Sequence, residues 1–194
     1  MDDDSDEMLG VGWRDILTNL VGMMVGVVVL LAALMSVEKS KEDDASEPPG
    51  NLVASIVWPE GPTDIDMWIY GPGEKRPIGY SNKSGANWSL LRDDLGTAMD
   101  SMPANFETSY SRAIEPGHYV FNVVCYTCKR VPVKVVFELR IVSGGNQHAL
   151  ITTTVTLTQD RQEITIVQFD LAKDGTIVRG SMSSVFKPLF QAWH

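Results

Sequence analysis

The stretch ILTNLVGMMVGVVVLLAALMSV, from Ile16 to Val37, carries no charged side chain and decides how the 194-residue chain is organised. Wound as a helix at about 1.5 Å per residue it would be roughly 33 Å long, which matches a bilayer core of about 30 Å. No later stretch is comparably long and apolar, so the expectation is a single N-terminal transmembrane α-helix over residues 13–37. A cleaved leader fits poorly. The tail before the run, MDDDSDE, is acidic instead of basic, the run exceeds a signal-peptide core, and no small-x-small site interrupts it.

Polar and small residues within this segment fall on one helical face: Asp15, Thr18, Asn19, Gly22 and Gly26, continued by Ala33. Gly22 and Gly26 form a GxxxG pair that admits a second helix closely, and Asn19 can hydrogen-bond across such an interface. The other face, with Leu20, Met24, Val27 and Leu31, suits lipid or an apolar pore. Asp15 at the head of the helix has two readings. It either caps the first turn through backbone N–H groups or is a membrane-embedded carboxylate with a functional partner.

The string Trp13-Arg14-Asp15-Ile16-Leu17-Thr18 resembles the B subunits of ion-driven stators, the MotB, ExbD, TolR and ZorB-like family. The likeness covers about the first forty residues. It implies that Asp15 carries the translocated ion, a proton or sodium, with Thr18 and Asn19 orienting the carboxylate. It also implies two copies of this chain, a self-dimer, inside a pentamer of a polytopic A-type subunit. The N-terminus would then be cytoplasmic, in a bacterial inner membrane, and the C-terminal domain periplasmic. Arg14 departs from the small or apolar residue usual before that Asp. Consecutive helix positions do not face each other, so Arg14 can snorkel to headgroups while Asp15 points into a bundle.

Residues 1–12 read as an acidic cytoplasmic tail, and residues 38–50, EKSKEDDASEPPG, charged, Pro-ending and with no apolar period, as a flexible stalk. Residues 51–194 hold short runs rich in β-branched and aromatic residues: LVASIVW, DIDMWIY, HYVFNVVCY, VPVKVVFELRIV, ALITTTVTLT and EITIVQF. Turn signals separate them, including Gly71-Pro72-Gly73, Glu115-Pro116-Gly117 and Asp174-Gly175. The expected architecture is an all-β domain, a β-sandwich, with a short helix or long loop between Leu90 and Met102.

Parts of this domain look like the YfaP-type sandwich modules of bacterial envelope proteins. The matching residues, in order, are Trp58, Asp64 to Pro72, Tyr80-Ser81-Asn82, Leu91 to Asp94, Glu107, and Pro116 to Tyr119. In that pattern Asp64, Asp66, Asp93, Asp94 and Glu107 meet at one edge and offer hard oxygen ligands for calcium. The alternative is that Asp64 and Asp66 face solvent while Asp93 and Asp94 cap a turn.

Cys125 and Cys128 are the only cysteines, too few for a closed zinc site. They form a disulfide if the chain turns there, and stay thiols on opposite faces if the strand continues. A net charge of −9 and the lack of a basic stripe argue against nucleic acid. With no phosphate-binding Gly-rich loop carrying a Lys, no HExxH and no Gly-x-Ser-x-Gly elbow, the chain does not read as an enzyme. Two functions remain: a B-type motor subunit whose β domain engages an extracytoplasmic load, or a passive membrane-anchored sandwich that binds a glycan or protein with calcium.

Overall fold

The computed structural model describes residues 16–28, 30–31, 51–96, 105–143 and 146–193. Asp15, the acidic tail, residues 32–37 of the expected span and the whole stalk lie outside the described residues. The chain divides into two units, Met1–Glu47 and Pro48–His194. In the first, helix α1 occupies residues 16–28 and 30–31. Among the described residues no helix is long and apolar enough to cross a membrane.

The second unit is all-β, as its alternating runs predict. Its strands are β1 Leu52–Trp58, β2 Thr63–Tyr70, β3 Trp88–Arg92, β4 Asn105–Ser111, β5 Gly117–Cys128, β6 Val133–Ser143, β7 Asn146–Leu157 and β8 Glu163–Leu171. A single turn of helix, α2 Phe190–Trp193, follows them. The strands form two antiparallel sheets, one of five in the order β3-β4-β1-β6-β7 and one of three in the order β2-β5-β8.

Between the sheets lies a core built from alternate residues: Ile56 and Trp58 of β1, Ile65, Met67 and Ile69 of β2, Tyr119, Phe121 and Val123 of β5, Phe137 and Leu139 of β6. Four rings occupy its centre, with Tyr119 and Phe169 stacked at 5.6 Å and Phe121 packed 5.2 Å from Phe137. The outer face of the three-stranded sheet is covered in turn by the C-terminal segment, where Leu189 packs with Trp68, Val120 and Val124.

Two strands differ from the sequence expectation. Leu90 to Arg92, the expected start of a short helix or long loop, belong to β3, and residues 97–104 lie outside the described residues. β4 alternates perfectly between buried and half-buried, but its inward residues are Asn105, Glu107, Ser109 and Ser111. Its period of two is present, but Phe106, Thr108 and Tyr110 occupy the less buried face, so the pattern points the wrong way.

β5 also resolves the cysteine alternatives. Asp64 pairs with Thr127 while Ile65 pairs with Cys125, so Tyr126 is an extra residue in the ladder. One inserted residue shifts the side-chain parity and lets positions three apart turn to the same side. Cys125 and Cys128 are both buried, with Cα atoms 5.8 Å apart, and are joined as a disulfide.

Candidate metal centre

β2 is an edge strand, and its free backbone groups are met by other parts of the molecule. Ile69 exchanges two hydrogen bonds with Ile78, at 2.9 and 2.7 Å. One residue pair earlier on the same edge, the Met67 amide donates to Oε2 of Glu107 at 2.7 Å. Glu107 belongs to β4, in the opposite sheet, so its inward carboxylate crosses the sandwich to satisfy the edge of β2.

That crossing brings three carboxylates together. One oxygen each from Asp66, Asp93 and Glu107 lies within 4.8 Å of the others. Asp66 is only 3% exposed and Glu107 1%, so both are far from the solvation a carboxylate normally requires. Asp66 Oδ2, Asp93 Oδ1 and Glu107 Oε1 are buried without a hydrogen-bond partner. Asp64, half-buried on the same face of β2, has a similarly orphaned Oδ1.

The surrounding positive charge is small. Lys83 pairs with the other oxygen of Asp93 at 2.9 Å, and its side chain is 59% exposed. Arg161 favours ionisation of Asp64 and Asp66, while its guanidinium sits over the Tyr126 ring at 4.4 Å. Burial and mutual repulsion therefore dominate the titration. Burial, reinforced by Asp64 and Asp93, pushes the Asp66 carboxyl up to about 8. The same causes, with Asp93 and Asp94 as the like charges, take Asp64 to about 6. Glu107 is raised well above its ordinary value by burial first and Asp66 second, against the opposing hydrogen bond from Met67. Such a cluster takes up either protons or a cation.

Asp94 does not join the group. Its Oδ1 accepts the Gly96 amide at 3.0 Å, and its Oδ2 accepts Arg92 at 2.9 Å and the Phe106 amide at 3.1 Å. It caps a turn and ties β3 to β4, while its neighbour Asp93 points the other way toward Asp66. The expectation of five gathered acids thus reduces to a triad with Asp64 beside it.

Two more carboxylates, Glu74 and Glu163, are buried without any motif in the sequence to mark them, and both are taken up by hydrogen bonds. Glu74 accepts the amides of Ala86, Asn87 and Trp88 at 2.8–2.9 Å and so shapes the loop after β2. Glu163 accepts Asn122 Nδ2, the Leu189 and Phe190 amides, and the Gln191 amide, at 2.7–3.1 Å. It anchors the C-terminal segment that covers the outer face of the smaller sheet.

In α1, Thr18, Asn19, Gly22 and Gly26 are helical, and a methyl group added at either glycine would meet nothing within 4 Å. Asp15, the residue expected to lead this face, lies outside the described residues. No protein-family model, no curated protein and no solved structure matches the chain.

Proposed function

We propose that the chain is a B-type subunit of an ion-driven rotary motor, spanning the inner membrane once over residues 13–37 and carrying its ion on Asp15. One observation carries the reading. Every large apolar side chain described in α1 is substantially exposed, from 47% at Val27 to 68% at Met23, on all sides of the helix. A helix apolar all round suits lipid and neighbouring helices, not water. The Thr18, Asn19, Gly22 and Gly26 stripe supplies the face on which other helices pack. In this reading the β-sandwich lies outside the membrane and engages the load.

The test is to purify the full chain from its native membrane in detergent and to image the particles. A ring of polytopic subunits around two copies supports the motor; a lone chain or a simple dimer overturns it. In the reconstituted complex, Asp15→Asn abolishes ion conduction and leaves assembly intact, since shape is kept and only the titratable charge is lost. Full conduction by that variant would remove Asp15 from the ion path.

The acidic triad of the sandwich favours a second reading, in which the helix only tethers a cation-dependent binding module. Asp15 is then a helix cap.

A further inference from the structure

We infer that Asp66, Asp93 and Glu107 bind one hard divalent cation, calcium before magnesium, and that the ion clamps the two sheets together at the edge of β2. The inference is independent of what α1 does, because all three residues lie within the sandwich.

The three oxygens come from three elements: β2 of one sheet, β4 of the other, and the turn after β3. Their spread, within 4.8 Å, fits one ion whose bonds to oxygen are about 2.3–2.6 Å long, since opposite ligands then stand about 5 Å apart. Acidic residues gather on many protein surfaces without a ligand. This cluster differs because Asp66 and Glu107 are almost wholly buried and each aims an unpartnered oxygen at the others. Buried carboxylate oxygens at this separation repel one another unless a proton or a cation stands between them.

The cationic side chains nearby do not supply that charge. Lys83 engages Asp93 from the exposed side, through Oδ2, and leaves Oδ1 for the centre. Arg161 is held over Tyr126. Calcium takes six to eight oxygens, so water would complete the shell, and Asp64 stands close enough to Asp66 and Asp93 to raise their mutual charge cost. All candidate ligands are carboxylates, which favours calcium or magnesium over softer metals. Glu107 keeps its second oxygen on the Met67 amide, so the ion would be bonded to a side chain that already holds the edge of the facing sheet.

The experiment uses the full chain in detergent, freed of metal with a chelator and titrated with calcium chloride by calorimetry. One saturable site per chain is expected, with a rise in the unfolding midpoint of the sandwich. Asp66→Asn and Asp93→Asn each weaken it by at least about tenfold, the scale on which altered metal surroundings act. Glu60→Gln, an acidic change elsewhere, leaves it unaltered. Asp93 is partly exposed, so its variant decides the matter should Asp66→Asn fail to fold. A folded wild-type chain without saturable binding of calcium or magnesium overturns the site, as does binding that survives both substitutions. Neither result bears on ion conduction through α1, which is read separately.

Discussion

The carboxylate of Glu107, rooted in the five-stranded sheet, accepts the backbone amide of Met67 at the edge of the three-stranded sheet, 2.7 Å away. One oxygen therefore performs a ladder bond while the other is left buried and unpaired. The two duties can be separated by mutation. Glu107→Gln keeps an acceptor for Met67, whereas Glu107→Leu leaves that amide buried without one. In chelator, Glu107→Leu is expected to be about 1–3 kcal/mol less stable than Glu107→Gln, measured by urea unfolding. Equal stability would show that the edge amide finds water instead.

Without a cation, the acidic cluster makes the sandwich less stable as pH rises. Asp66 titrates near 8 and Asp64 near 6 in the folded protein, both above their ordinary 3.8. Between roughly pH 4 and pH 8 the folded state thus holds more protons than the unfolded one, and stability declines with pH across that window. Melting curves in chelator from pH 5 to 8.5 should fall steadily. Glu107, raised by the same burial, contributes in the same direction, so Asp66→Asn should lessen the slope without abolishing it, and a slope unchanged by that variant would place its origin elsewhere.

Gly85 is forced by Glu74. A Cβ at this position would stand 1.8 Å from Glu74 Oε2 and 2.7 Å from Ile78 Cδ1. Glu74 cannot retreat, because three backbone amides hold its carboxylate. Gly85→Ala is therefore expected to cost about 1–3 kcal/mol, as overpacking does. Thermal unfolding of the variant checks it, and a loss below about 0.5 kcal/mol, the usual range for harmless surface changes, would count against this packing.

Glu163 gathers Asn122 and three amides of the last residues. Removing the acceptor in Glu163→Ala should release the segment around Leu189 and cost about 2–3 kcal/mol, since bonds to a charged group lie at the strong end. Hydrogen exchange at residues 189–191 is the direct readout. Protection that matches the wild type would mean the apolar contacts of Leu189 suffice.

Gly22 and Gly26 leave open space on one face of α1, with nothing within 4 Å of an added Cβ. Under the membrane reading that space belongs to a second helix. Gly22→Leu and Gly26→Leu are then expected to reduce co-purification of two tagged copies several-fold. Unchanged pairing in both would make the GxxxG spacing incidental.

How much of this was legible depended on whether side chains followed a period. β2 and β5 are buried on both faces along much of their length and read as strands by their β-branched and aromatic content, while the Asp64-x-Asp66 spacing puts both acids on one face of β2. β4 hides which of its faces is buried, because Asn105, Glu107, Ser109 and Ser111 turn inward and leave Phe106 and Tyr110 on the less buried side. Asp93 and Asp94 are chemically identical in sequence; only the fold gives one of them Arg92, Gly96 and Phe106 as partners and sends the other toward Asp66. Glu74 and Glu163 were silent for a different reason. Apart from Asn122 beside Glu163, their partners are backbone amides, which leave no signature in side-chain chemistry.

The covering of sheet edges has a consequence for association. Ile78 lies along β2, Lys83 and Ser84 along β3, and Ile177 and Ser183 along β8, each through backbone hydrogen bonds or bridges. Three of the four strand margins are thereby partly covered against a visiting strand. β7, Asn146–Leu157, is the remaining margin, twelve residues long and largely exposed, with no covering segment among the described residues. Among the described residues, a polypeptide that joins this fold by extending a ladder finds its longest uncovered margin along β7, Asn146–Leu157.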